Sequence, residues 1–324
     1  MRYTHLGATD LHVSKICFGT WQFGGEWSGL DRDQAIAAVR RARELGIDFF
    51  DTAQAYGFGA AETLLAEALG PEIATGRDGI VLATKGGLRR EGGRLLRDAS
   101  PAWLRRGLEE SLERLGTDHV DLYQLHWPDP ATPIPETVRA LDGFVREGLV
   151  HYVGVSNFDE DLMRAFEEVR PLDALQPPYS MLRRGIEERV LPYCRARGIG
   201  VLAYGVLAHG LLTGRYGPET RFPEGDWRHG SAIFRGEALR RNVEVVDRLG
   251  RVAEGLSCTV AQLGVAWALS NPDVDVAIVG ARTPEHIEGT AAAAELLLDV
   301  DALAEIDAIL EDAAAIGGPT PEAA

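Results

Sequence analysis

Gly19-Thr20-Trp21-Gln22-Phe23-Gly24-Gly25 follows the first apolar, strand-like run of the chain, Ile16–Gly19. In an open, doubly wound α/β sheet this turn carries Gly-x-Gly-x-x-Gly, whose glycines admit a pyrophosphate to a helix N-terminus. The spacing here is different, so the β-then-α alternation must close in another way. Seven more runs read as buried strands: Asp48–Asp51, Ile80–Thr84, Val120–Leu125, Tyr152–Val155, Ala174–Gln176, Gly200–Ala203 and Val276–Val279. Helical patterns separate them. Asp33–Leu45 sets Ile36, Val39 and Ala42 near one face and stops at Gly46. Ser100-Pro101 opens another helix, with serine as N-cap and proline in the first turn, and it ends at Gly116. Pro135–Glu147 stops at Gly148, and Glu187–Arg197 stops at Gly198. Eight such units with parallel strands close a barrel, so the expected fold class is α/β, a (β/α)8 TIM barrel.

Three segments fall outside the repeat. Residues 2–13 predict an N-terminal β-hairpin around Leu6-Gly7-Ala8-Thr9-Asp10 that plugs the bottom of the barrel. Residues 207–236 form a long Gly/Arg-rich loop after strand seven, longer than a connection needs and therefore functional. The end of the chain, 317–324, reads as a disordered tail, leaving 1–316 as one barrel domain.

The composition is that of a soluble globular protein, with 45% hydrophobic and 25% charged residues among 324. No run reaches the ~18 apolar residues that span a bilayer, and the N-terminus lacks the blocks of a secretory signal. Cys17, Cys194 and Cys258 are widely spaced with no Cys-x-x-Cys, which points to reduced thiols in a cytoplasm and away from a zinc site; no metal is expected. A formal charge of −16 excludes a general nucleic-acid binder, and any anionic ligand needs a local basic pocket. Assembly is left open.

Only two of the 33 basic residues are lysine, Lys15 and Lys85, and Lys85 ends the strand Ile80–Lys85 before Gly86-Gly87. A lysine kept there suggests a role for a compact ammonium, although a lysine snorkelling from a strand end reads equally well. The neighbouring strand ends decide the matter. Strand two runs into Phe49-Phe50-Asp51-Thr52-Ala53-Gln54-Ala55-Tyr56-Gly57, and strand four into Gln124-Leu125-His126-Trp127-Pro128. Barrel active sites lie where strands end, which brings Asp51, Tyr56, Lys85 and His126 to one rim. A cation about 4 Å from a phenolate contributes roughly 4 kcal/mol at an effective dielectric of about 20. Lys85, held charged by Asp51, would thus make Tyr56 a usable acid–base group, and His126 would hydrogen-bond a substrate oxygen. Proton transfer at a carbonyl oxygen also needs a hydride or nucleophile for the carbon. No side chain supplies hydride, so a cofactor must.

Loops after strands seven and eight suit its phosphates. One is Tyr204-Gly205-Val206-Leu207-Ala208-His209-Gly210-Leu211-Leu212-Thr213-Gly214-Arg215; the other is Gly280-Ala281-Arg282-Thr283-Pro284-Glu285, where Thr283 is a candidate cap. Arg282 is suited to a phosphate. Ser156, Asn157 and Gln176, at the ends of strands five and six, suit a planar amide such as nicotinamide, with Tyr204 as a stacking face. Asn157 reads equally as a cap of the helix after it.

These residues resemble the aldo-keto reductase superfamily, over about residues 2–310. Asp51-Thr52-Ala53-x-x-Tyr56-Gly57, Thr84-Lys85, Leu125-His126 and Val155-Ser156-Asn157-Phe158 match its signatures in order and spacing, as does the opening Leu6-Gly7 … Val13-Ser14 … Gly19-Thr20-Trp21. Within the superfamily the chain looks most like the bacterial general aldehyde/ketone reductases. The resemblance implies a barrel that binds NADPH without a Rossmann fold, with Tyr56 as general acid, Lys85 and Asp51 as its tuners and His126 orienting the carbonyl. It places Ser156, Asn157 and Gln176 at the carboxamide with Tyr204 under the ring, and Gly19, Thr20, Trp21 and Asp51 are further expected cofactor contacts. The 207–215 segment, with Leu207, Gly210, Leu211, Gly214 and Arg215, would face the pyrophosphate and Arg282 the adenosine 2′-phosphate, with Gly205, Val206, Gly280 and His286 as further expected cofactor contacts. The expected substrate is a small carbonyl compound between Trp21, Trp27, Tyr56, His126 and Trp127. Two departures stand out: Gly205 replaces a frequent serine, and His286, Gly289 and Thr290 replace a frequent Gln and acid–Asn pair, which leaves NADP over NAD preference open. His286 reads either as a 2′-phosphate contact or as an exposed helix residue. Two other functions share these residues. One is a redox-sensing regulatory subunit of the potassium-channel β type, weakened because the chain opens at the hairpin without an extension. The other is a Schiff-base lyase using the Lys85 amine.

Overall fold

Phe18 pairs across to Phe50 on one side and to Val279 on the other, and that double pairing closes the sheet on itself. The computed structural model describes residues 1–317 apart from 26, 28, 76 and 78; expectations for 318–324 lie outside the described residues. The barrel strands are β1 (Ile16–Gly19), β2 (Phe49–Asp51), β3 (Val81–Gly86), β4 (Val120–Leu125), β5 (Val150–Ser156), β6 (Ala174–Gln176), β7 (Gly200–Ala203) and β8 (Val276–Gly280). Each is parallel to the next, and β8 returns to β1. They read as apolar runs because helices cover one face and the barrel interior the other.

Inside the barrel Cys17, Phe49, Ala83, Leu122, Leu202 and Val276 meet Leu6, Leu11 and Val13 of the N-terminal hairpin. That hairpin pairs Tyr3–His5 with His12–Ser14 and plugs the bottom as its sequence predicts. Gly7 makes the plug possible: at φ +53° a Cβ there would lie 2.3 Å from the Gly200 nitrogen.

The helices follow their caps. Ser100 Oγ accepts from the Trp103 amide, and Gly116 ends that helix at φ +67°. The first helix, Arg32–Glu44, buries Ala35, Ala38, Val39 and Ala42 while Ile36 stays half-buried, so its inner face is rotated toward the alanines. Small side chains let it sit close to the barrel. The helix expected from Glu187 begins at Val190 instead, and the Glu187 carboxylate accepts from Tyr179 and Arg184 ahead of it. Residues 88–97 form a short antiparallel ribbon after β3 that the sequence reading passed over.

After β7, residues 208–234 make three short 3₁₀ turns, at Ala208–Thr213, Trp227–Gly230 and Ala232–Phe234, before the helix Gly236–Gly255. This strap has a small core of its own in Tyr216, Phe222, Trp227 and Phe234. Among the described residues no single helix is long and apolar enough to cross a membrane.

Candidate active site

Lys85 does not snorkel: its side chain is 0% accessible, at the C-terminal end of β3. Its ammonium donates to Asp51 Oδ2 at 2.5 Å, to the Thr52 carbonyl at 2.9 Å and to the Tyr56 hydroxyl at 3.2 Å. Three acceptors around one nitrogen suit the three protons of an ammonium and not the planar fork of a guanidinium. That is the physical reason for lysine at this position in an arginine-rich chain. A buried charge is tolerable here because it is paired and its protons are used.

The other oxygen of Asp51 is held as firmly. Gln124 Nε2 donates to Asp51 Oδ1 at 3.1 Å and Gln176 Nε2 at 2.9 Å, with Gln176 Nε2 also 3.2 Å from Gln124 Oε1. Asp51, Lys85, Gln124 and Gln176 thus form one chain across β2, β3, β4 and β6. Tyr56 stands in the turn after β2, where Gly57 at φ +61° packs so closely that a Cβ would lie 2.7 Å from the Gly24 carbonyl. Its ring meets His126 edge-on, centroids 5.6 Å apart at 83°. His126 is buried just beyond β4, its amide donating to the Gly86 carbonyl and its own carbonyl accepting from Asn157 Nδ2. The four expected residues therefore converge.

Asn157 does not cap the following helix; Asp159 does, accepting from the Leu162 amide. Asn157, at φ +62°, instead ties three strand ends together: Nδ2 donates to the His126 carbonyl and to Ser156 Oγ, and Oδ1 accepts from the Tyr204 hydroxyl at 2.8 Å. Ser156 Oγ donates to the Gln176 carbonyl.

A cleft of about 450 Å³ opens over Asp51 and Tyr56 and runs toward β7 and β8. Of the expected residues, Gly19, Thr20, Trp21, Trp27 and Gln176 line its inner part. Tyr204, Gly205, Val206, Leu207 and Gly210 line one wall, and Arg215, Gly280, Arg282 and His286 its far end. Ser156, Asn157, Leu211, Gly214, Lys85, His126 and Trp127 are not on its walls. Leu211 belongs to the hydrophobic core, and Trp127 is buried under the Arg97 guanidinium, 4.9 Å from its ring centroid. His286 is not an exposed helix residue. It is half-buried, and burial followed by the Arg215 and Arg282 charges pushes its pKa down, so its Nε2 accepts from Arg215 at 3.0 Å. Thr283 occupies the N-cap position without capping through its side chain.

Several wall residues escaped the sequence reading, among them Gln22, His209, Tyr216, Arg228 and Thr259. Gln124 carried a readable signal, being a polar residue in register with the inward Leu122 on a buried strand. Arg228 carried none. It is clamped by Asp226 at 2.6 and 2.8 Å and lies over the rings of Trp27 and Phe222.

The cleft suits a dinucleotide. At Gly280 a Cβ would lie 2.0 Å from the Gln22 amide, so glycine there lets the Gln22 side chain lie against the backbone, and Gln22 Oε1 is buried without a partner. Arg215 and Arg282 supply the basic pocket that a chain of net charge −16 needs for an anion. A closed parallel barrel with a buried lysine–aspartate pair under a tyrosine defines a class of carbonyl-handling enzyme.

The chain belongs to the aldo/keto reductase family, whose model matches residues 15–311, and is an oxidoreductase of that nicotinamide-dependent class. It is 38% identical to aldo-keto reductase YhdN of Bacillus subtilis, over 96% of this chain and 94% of that one. It is 34% identical to the NADH-specific methylglyoxal reductase of Escherichia coli, over 93% and 96%. The structure of the glycerol dehydrogenase AKR11B4 from Gluconobacter oxydans superimposes with a TM-score of 0.88, at 34% identity over 98% of each chain.

Proposed function

We propose that the barrel of residues 1–316 is an NADPH-dependent reductase of small aldehydes and ketones, with Tyr56 as proton donor. The observation that carries this reading is the Lys85 ammonium, 2.5 Å from Asp51 and 3.2 Å from the Tyr56 hydroxyl, directly beneath the two residues that line the cleft. When bound, the reduced nicotinamide supplies the hydride that the side chains lack. The Tyr56 hydroxyl gives its proton to the carbonyl oxygen as that oxygen gains charge, and Lys85 stabilises the phenolate left behind. Asp51, its second oxygen fixed by Gln124 and Gln176, keeps Lys85 charged. His126 orients the carbonyl oxygen by a hydrogen bond.

Gln176 would hold the carboxamide, with Ser156 and Asn157 supporting it from behind the cleft wall; Tyr204, fixed by Asn157, would offer the stacking face, and the 207–215 segment would face the pyrophosphate. Arg282, with Arg215 and His286 beside it, takes the 2′-phosphate and favours NADPH. Trp21 and Trp27, 5.1 Å apart and edge to face, wall the carbonyl site. The thiols, Cys17 and Cys194 buried and Cys258 half-buried, are unpaired and suit a reducing cytoplasm.

The test is steady-state reduction of a panel including methylglyoxal and glyceraldehyde with NADPH and with NADH. We expect kcat/KM at least about tenfold higher with NADPH, a margin Arg282→Ala removes, and a kcat loss of roughly 10²–10⁴ in Tyr56→Phe. Equal use of both nucleotides overturns the 2′-phosphate assignment alone. Tight NADPH binding without turnover points to a redox-sensing subunit, and borohydride trapping of a carbonyl on Lys85 to a lyase.

A further inference from the structure

The opposite end of the barrel carries a second cluster of chemistry-bearing side chains. Val120 pairs with Val150 at the start of β4 and β5, so His119, just before one, lies against His151, just after the other. The two imidazoles are 4.5 Å apart between centroids, 33° from parallel. Asp121 Oδ1 is 3.5 Å from His151 Nδ1. Potential ligand atoms of His119, Asp121 and His151 all lie within 4.8 Å of one another. Along β4 this cluster is roughly 23 Å from His126, at about 3.3 Å per residue.

We propose that His119, Asp121 and His151 form a binding site for a divalent transition-metal ion such as Zn²⁺ or Co²⁺, remote from the reductase cleft. Two imidazoles and one carboxylate make a borderline nitrogen/oxygen donor set, which suits these ions and disfavours Mg²⁺ and Ca²⁺. Three protein ligands leave a fourth position to water.

Two features preorganise the set. His119 Nδ1 donates to Asp118 Oδ1 at 2.7 Å, which selects the tautomer with Nε2 as the lone-pair donor. A carboxylate behind a ligating histidine is the usual orienting arrangement. Asp121 is fixed through its other oxygen, Oδ2, which accepts from the Leu82 amide at 2.8 Å and from Arg77. Arg77 also bonds the His119 carbonyl and Thr117, so its guanidinium neutralises one oxygen of Asp121 and pins the segment that carries the ligands. Oδ1 still faces His151. Ligands 2.0–2.1 Å from a tetrahedral ion lie about 3.4 Å apart. The Asp121–His151 pair already has that spacing, and His151, half accessible at 49%, closes the rest by side-chain rotation. The cysteine spacing spoke against a zinc site; this one is built from imidazoles on adjacent strands, a pairing that no local motif displays.

The experiment uses the full-length protein stripped of metal by a chelator. Titration with Co²⁺ should give the visible absorption of a tetrahedral complex, saturating at about one equivalent per chain and abolished by Zn²⁺. His119→Ala and His151→Ala should each weaken binding at least about 100-fold, and Asp118→Ala, acting through His119, about tenfold. Carbonyl reduction and circular dichroism of these variants should match the parent. No saturable uptake at millimolar Co²⁺ overturns the proposal. So does unchanged uptake in the His119→Ala/His151→Ala double variant, which would move the ion to another site such as the His5–His12 pair of the hairpin, 5.1 Å between rings.

Discussion

Two buried ion pairs border the same cleft, one through Asp51 and the other through Arg228, and they are built in opposite ways. Lys85–Asp51 joins residues 34 positions apart on adjacent strands, with both side chains almost inaccessible. Arg228–Asp226 joins residues two positions apart within the strap, equally withdrawn from water. The first places a compact charge under a phenol, held between neighbouring barrel strands. The second uses the whole guanidinium plane: two bonds to one carboxylate, one to the Tyr216 hydroxyl at 2.7 Å, and its faces against Trp27 and Phe222. Lysine fits the role of directing charge at one oxygen, and arginine that of stitching a loop with little regular structure of its own. The lysine pair is therefore mounted on barrel strands, while the arginine pair belongs to a strap that holds itself together locally.

The largest effect should come from breaking the first pair on one side. Lys85→Met leaves the Asp51 carboxylate buried and uncompensated, which should cost about 3–5 kcal/mol of stability in urea unfolding as well as turnover. Adding Asp51→Asn should recover much of the stability and none of the activity. If Lys85→Met alone is as stable as the parent, the buried pair is not what organises the floor of the site.

A smaller effect is expected at the second pair. Arg228→Lys keeps the charge but loses the fork and both ring contacts. It should open the strap to limited proteolysis between 207 and 236 and raise KM severalfold, with kcat changed less than about tenfold. Equal loss of kcat in Arg228→Lys and in Lys85→Met would erase the distinction drawn between the pairs.

The smallest effect is in pH. His209 lies against Trp21 and Trp227 in the strap, and burial, followed by the Arg183 and Arg228 charges, pushes its pKa from 6.5 down to about 4. The fold therefore favours the neutral ring. Its contribution is complete above pH 6.5 and is lost as pH falls through about 4. The urea midpoint should decline across that window in the parent and decline less in His209→Phe. A parallel decline in both would assign the acid sensitivity to other groups.

The strands, helix stops and hairpin were legible because each is written in local terms: apolar runs, a proline or serine at a helix start, a glycine at its end. Asp51, Tyr56, Lys85 and His126 were legible for a related reason, since strand ends of a parallel barrel share one rim. Gln124 lay in plain view as an inward polar residue on β4. The ribbon at 88–97 was missed because its strands carry charge on both sides of Gly92-Gly93 and border no apolar run.

What the sequence determined by itself is the order and period of the elements and which polar groups stand at their ends, because those follow from neighbours a few residues away. Only the tertiary structure decided their partners. Gln176 reaches Asp51 across 125 positions, Tyr204 reaches Asn157 across 47, and Trp21 stacks on Trp227 at 5.8 Å. His119 meets His151 in the same way. These meetings depend on how the barrel closes, on strand register and on where the strap folds back. All three are settled by the packing of the whole core at once and by no property of the chain near either partner.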